Sequence, residues 1–128
     1  MGKLQHIKYR GTPIYSHVKN KLIRTAKHRE LISYKDIAVM MGLPIKGDYM
    51  RSEMGRICGE ISGDEMDHGR PMLSAVVVSV MTGMPGDGFF NLARTLGKLK
   101  KDDKNEIDFW EQEREAVYQA WKRPLRKK

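Results

Sequence analysis

Asp64, Glu65, Asp67 and His68 form the one dense group of potential metal ligands in the chain. Carboxylates and an imidazole converging from a loop could hold a hard cation. No second acidic or histidine cluster at ligand spacing lies elsewhere, so a plain hydrated loop is the simpler reading. His68 as a general base would need a serine or cysteine partner at a recognisable spacing, and it has none. Gly83-Met84-Pro85-Gly86-Asp87-Gly88 could present backbone N–H groups to a phosphate at the start of a helix. It lacks the Gly-Lys-Ser/Thr ending of a Walker A loop, and Asp87 would repel the anion unless it caps the helix, which leaves a wing or structural turn. The single cysteine, Cys58, excludes an internal disulfide and a cysteine-rich zinc site and fits a reducing cytoplasm. The chain therefore reads as non-enzymatic, with no metal and no cofactor.

What remains is charge. The 128 residues carry 24 Lys plus Arg against 16 Asp plus Glu, a formal net charge of +8, and the pI is near 9.7. Such a balance points to a polyanion as partner. The excess is uneven: residues 1–31 hold eight basic and one acidic side chain, residues 32–95 six and eight, residues 96–128 ten and seven. The ends are basic and the middle is slightly acidic. A hydrophobic content of 40% is ordinary for a globular protein, and no apolar run approaches membrane-spanning length, Ala75 to Val78 being strand-sized. Met1 to Arg10 has no apolar stretch of the kind a signal peptide needs. A cytoplasmic protein of one domain, 1–128, without membrane contact, is the expectation.

The elements that must position this charge can be read from periodicity and caps. In residues 1–31, Tyr15, Val18, Leu22, Ala26 and Arg29 recur at helical spacing, with Lys19, Lys21, Arg24, Lys27 and His28 on the other faces. Ser33 is an N-cap with Asp36 three residues on, Ile32 and Ile37 form a hydrophobic staple, and Gly42 and Pro44 end the helix Tyr34 to Met41. Asp48 is expected to cap a second helix with Met50, Met54, Ile57 and Ile61 inward, running to about Ser62. Two short helices across a tight turn make a helix-turn-helix candidate. Gly63 to Pro71 is expected to be a loop, Met72 to Val80 a strand, and Thr82 to Gly88 a turn. Phe89, Phe90, Ala93 and Leu96 mark a helix closed by Gly97. Residues 98–121 comprise a charged linker, Lys98 to Lys104, and a helix capped by Asn105 with Ile107, Trp110, Val117 and Trp121 inward and Phe109 and Tyr118 alongside; 122–128 is a basic tail. The fold class is mainly α with a small β component, a winged helix-turn-helix-like core over 32–97 between flanking helices.

Within that order, Ile32-Ser33-Tyr34-Lys35-Asp36-Ile37-Ala38 with Gly42 resembles the Ser-Tyr-x-x-Ile-Ala…Gly opening of the winged-helix domain of O6-alkylguanine-DNA alkyltransferases and alkyltransferase-like proteins. Met54-Gly55 stands where that family has a Val-Gly pair, and Val77-Val78 and Gly88-Phe89 follow in the family's order, over about residues 30–97. The family's Pro-Cys-His-Arg motif is replaced by Arg70-Pro71-Met72-Leu73-Ser74-Ala75, so the resemblance implies DNA binding without alkyl transfer. Cys58 falls in the recognition helix and cannot take over that role. Arg51 and Arg56 lie near the family's recognition-helix arginine, neither in its register.

The expected nucleic-acid contacts, with duplex DNA the leading partner, are Lys19, Lys21, Arg24 and Lys27 on the first helix, Tyr34, then Arg51, Ser52 and Arg56 on the recognition helix, and Arg70 and Arg94 at phosphates. The alternative is a protein-interaction module, or a homodimer, that uses the Met-rich middle helices (Met40, Met41, Met50, Met54, Met66) or the aromatic C-terminal helix as its contact face.

Overall fold

A computed structural model describes residues 7–122, so the tail 123–128 and the first six residues lie outside it. The described chain is mainly helical with a small two-stranded sheet. Helix α1 spans Pro13–Lys27; Thr12 caps it, accepting a hydrogen bond from the Tyr15 N–H at 3.2 Å, and Pro13 stands at the first position, where no N–H is needed. Tyr15, Val18, Leu22 and Ala26 are buried as their spacing requires. Arg29 is not part of that face. It follows the helix end in a left-handed conformation, φ +55°, with its guanidinium over the Tyr118 ring and paired to Glu115.

Strand β1, Ile32–Ser33, leads directly into α2, Tyr34–Met41. The Ser33 hydroxyl accepts the Asp36 N–H at 3.0 Å, Ile32 and Ile37 are both buried, and Gly42 closes the helix at φ +72°, a value an L side chain rarely adopts. Helix α3, Asp48–Asp67, departs from expectation at both ends. Gly47, not Asp48, occupies the cap position, and Asp48 pairs with Arg51 instead. At the other end, α3 continues for five residues past Ser62 through the stretch expected to be a loop. The charges and glycines there signal polarity, but Ser62 and Glu65 face inward with their polar atoms satisfied.

Nor is Met72 to Val80 one strand. Leu73–Val76 forms a 3-10 turn, and only Val77–Val78 is strand β2, paired parallel to β1 with Ile32 opposite Val77. Helix α4, Asp87–Thr95, buries Phe89, Phe90 and Ala93, whereas Leu96 is only half-buried. Helix α5, Glu106–Trp121, starts where Asn105 accepts the Asp108 N–H at 3.3 Å. Ile107, expected inward, is exposed, while Glu113 is buried in the same helix.

The reason for these inversions is the segment Met72–Val78, which is wholly buried and only partly regular. Buried backbone groups must find partners, and neighbouring side chains supply them. Met72 N–H donates to Glu113 at 2.8 Å, Ser74 N–H to the Ser62 hydroxyl at 3.1 Å, and Trp110 Nε1–H to the Ala75 carbonyl at 2.8 Å. Helices α1, α3 and α5 all pack on this segment. Replacing Trp110 with Phe keeps an aromatic ring there but removes the indole N–H and orphans the Ala75 carbonyl, which should cost at least about 1–3 kcal/mol. The measurement is the urea midpoint, expected to fall with an unchanged slope.

Candidate nucleic-acid interface

Helix α3 carries two cations and six carboxylates, an adverse balance for a helix that faces a polyanion. The structure neutralises five of those six locally. Asp48 pairs with Arg51, Glu53 with Lys8 at 2.7 Å, Asp64 with Arg10 at 2.6 Å, and Glu65 with Arg70 at 2.8 Å and Lys19 at 3.2 Å. Glu60 accepts the backbone N–H groups of Lys8, Tyr9 and Arg10. The buried side of α3 holds Glu53, Met54, Ile57, Cys58, Ile61, Ser62 and Glu65. The opposite face carries Asp48, Ser52, Gly55, Gly59 and Gly63, with exposed Arg51 on one flank and half-buried Arg56 on the other. Side chains added at the three glycines would meet no atom within 4 Å, so they do not serve packing within the chain.

The sequence-derived contact residues divide into two groups. Lys21, Arg24 and Lys27 make no ion pair among the described residues, and Arg24 and Lys27 are exposed. Ser52 is exposed on the outer face of α3. The others have internal duties. Lys19 and Arg70 hold the fully buried Glu65, Arg70 also lying over the Trp121 ring. Arg94 does not reach the Asp64–Asp67 segment; it binds Glu106 at 2.9 Å and the carbonyls of Lys100 and Asp103 at 3.1 and 2.6 Å, tying down the expected linker. Arg56 lies close enough to Glu53 to help hold its carboxyl ionised. Arg51 bridges to Asp48, but both are so exposed that solvent screens the pair. Tyr34 accepts the Gly86 N–H at 2.9 Å, which fixes the loop 79–86 against the start of α2; burial and the nearby Cys58 push its hydroxyl pKa up.

Sequence reasoning missed Lys8, Tyr9 and Arg10, which carry the neutralisation of α3. The charges of Lys8 and Arg10 were visible, but their partners lie more than 40 residues away in the chain. The acidic group at 64–68 likewise resolves into separate roles. Asp64 serves Arg10 and the Tyr15 hydroxyl, Glu65 serves Arg70 and Lys19, and the His68 ring contacts the Asp64 carbonyl at 2.8 Å. No three His, Cys, Asp or Glu side chains converge as a metal set among the described residues.

No family model, curated protein or solved structure matches this chain. No helix among the described residues is long and apolar enough to cross a membrane.

Three groups have protonation states with measurable consequences. Burial pushes the Cys58 thiol up to about 12, so it stays protonated at neutral pH and lacks the thiolate a nucleophile requires. It should react with a disulfide reagent at pH 8 only at the rate of unfolding, as followed by release of the coloured thiol. Burial raises the Glu65 carboxyl, but hydrogen bonds from Arg70 and Lys19 outweigh it and leave the group below its ordinary value; bonds from Lys8 and Tyr9 lower Glu53 against its burial. A carboxyl whose folded pKa is depressed stabilises the fold above its unfolded value of about 4.3, and that stability is lost as pH falls through the folded value. Thermal midpoints should therefore drop below about pH 4, and Glu65→Gln should lower the neutral-pH midpoint while flattening the acid limb.

Proposed function

We propose that the protein is a non-enzymatic nucleic-acid-binding protein of winged-helix type that holds duplex DNA on the outer face of α3 and along the basic side of α1. The observation that carries this reading is the charge arrangement of α3: four of its six carboxylates, Glu53, Glu60, Asp64 and Glu65, are answered by groups from outside the helix, while Arg51, bridged only to the exposed Asp48, and Ser52 face outward. That arrangement lets phosphates approach a helix whose own sequence is acidic. The open positions at Gly55 and Gly59 favour close approach of a broad surface such as a duplex. Lys21, Arg24 and Lys27 supply the sequence-independent part of the affinity. The likeness of Ser33-Tyr34, Ile37-Ala38 and Gly42 to alkyltransferase-like proteins supports the same reading, in which loop 79–86 is taken as the wing. In this reading no alkyl group is transferred, because no cysteine stands in the 70–75 segment.

A protein-interaction module is the second reading, and Val80 and Met81 favour it: both are exposed on a loop without charged residues. The surfaces first expected to serve it are largely engaged elsewhere. Met54 is buried, Met40, Met41, Met50 and Met66 pack against the core, and Trp110 is inside.

Mobility shift of a labelled duplex at two salt concentrations separates the readings, since no shift at low salt leaves the interaction module. With binding, alanine at Lys21, Arg24 or Lys27 should each reduce the salt slope by about one, whereas Arg51→Ala or Arg56→Ala should cost about 1–3 kcal/mol of discrimination between sequences. Gly59→Ala lies within a helix and in open space, so it should stabilise the fold by up to about 1 kcal/mol in thermal unfolding. The same variant should weaken duplex binding. A Gly59→Ala protein that is stabilised and binds normally removes the glycine face from the interface.

A further inference from the structure

The segment Lys8–Arg10 runs against α3, held there by ion pairs and hydrogen bonds to its carboxylates and by the half-buried Tyr9 ring packed on the core. Its three successive backbone N–H groups converge on one carboxylate: Lys8 N lies 2.6 Å from Glu60 Oε2, and Tyr9 N and Arg10 N lie 2.9 and 2.7 Å from Glu60 Oε1. Successive amides turned toward one anion form a cradle of partial positive charge. Beside it, Lys8 Nζ binds Glu53, Arg10 binds Asp64 through two nitrogens, and the Tyr9 hydroxyl donates to Glu53. Glu60, Asp64 and the buried Glu53 line one side of α3, next to Arg56, which flanks the outer face that carries Ser52. The segment ends at Gly11, whose φ of +89° permits a sharp change of direction before Thr12 caps α1.

We infer that Lys8–Arg10 is an electrostatic strap that keeps the outer face of α3 open to a polyanion, and that lifting it closes this face by baring the Glu53, Glu60 and Asp64 carboxylates. The inference rests on the nucleic-acid reading above and adds its regulation. With the strap down, each of the three carboxylates has a cation or an N–H cradle; with it up, three negative charges stand beside Arg56. Lys8 and Arg10 are themselves exposed, so salt screens the contacts that hold the strap. Duplex affinity then falls with salt for two reasons, counterion release and strap opening, and falls more steeply than the number of phosphate contacts requires.

Trypsin reads the strap without any nucleic acid, since opening exposes the bonds after Lys8 and Arg10. Glu60→Gln should accelerate cleavage there at least about tenfold, followed by mass spectrometry, with helicity retained. Cleavage at the wild-type rate overturns the strap. Its effect on binding is read by fluorescence anisotropy of a labelled duplex at about 50 mM salt. Lys8→Ala with Arg10→Ala should weaken binding about tenfold, and adding Glu53→Gln and Asp64→Asn should restore it to within about threefold. The same two carboxylate changes in the otherwise wild-type chain should shift affinity by less than about threefold. If they fail to restore binding in the stripped chain, Lys8 and Arg10 act directly on phosphate and the inference is overturned while the nucleic-acid reading stands. A wild-type chain that binds no duplex at this salt overturns that reading and the inference with it. Should the alanine pair unfold the chain, Lys8→Gln with Arg10→Gln keeps the side-chain stems and repeats the measurement.

Discussion

The molecule is organised by the need to bury Met72–Val78, a segment whose polar backbone has only one 3-10 turn and a two-residue strand pair of its own to rely on. An unpaired amide or carbonyl in such a place costs as much as several good apolar contacts provide. Ser62 from α3 and Glu113 and Trp110 from α5 answer that need, and β1 takes the remaining edge at Val77–Val78. These partners fix where α3 and α5 sit. Because α3 presents Ser62 and Glu65 to the interior, its glycine face must turn outward, flanked by Arg51 and Arg56.

Glu113 shows how far that requirement reaches. It is buried although ionisable, and Lys98 at 2.6 Å supplies the countercharge, so the segment after α4 is held in place by the same carboxylate that receives Met72. Glu65 repeats the arrangement with Arg70 and Lys19. Removing one member of such a set leaves an uncompensated charge in a poorly solvated place, which is why these groups are structurally demanding. The basic ends and the acidic middle of the sequence are therefore not independent regions. Lys8, Arg10 and Lys19 from the N-terminal end meet Glu53, Asp64 and Glu65 of the middle in the folded chain. Much of the basic surplus of residues 1–31 is consumed in this way, and the part that stays outward is concentrated at Lys21, Arg24 and Lys27.

Legibility followed the range of the interaction. The Ser33 cap, the Ile32 and Ile37 staple, the Gly42 stop and the Asn105 cap each involve residues within five positions of one another, and each stands where the sequence puts it. The apolar stripe of α1 was legible for the same reason, up to Arg29, whose partners are on α5. The second half of α3 was not, because Gly63, Asp64, Glu65 and Asp67 look like loop residues until Arg70, Lys19 and Arg10 are known to be waiting for them. The β-branched run after Pro71 was readable as buried but not as a 3-10 turn, since side-chain donors from other helices substitute for a sheet. In the site, Ser52, Arg24 and Lys27 lie outward, whereas the inward roles of Lys19, Arg70 and Arg94 depend on remote partners.

The amino-acid sequence thus settled the elements whose signals are short-range, the mainly helical class with a little β structure, and the total charge, because caps, periodicity and composition do not depend on what lies across the molecule. Which charges face solvent was settled by the folded arrangement alone. A carboxylate on α3 is repulsive or neutral toward a polyanion according to whether a cation more than 40 residues distant is folded onto it, and Coulomb interactions of that kind are fixed by spatial distance, not by separation along the chain.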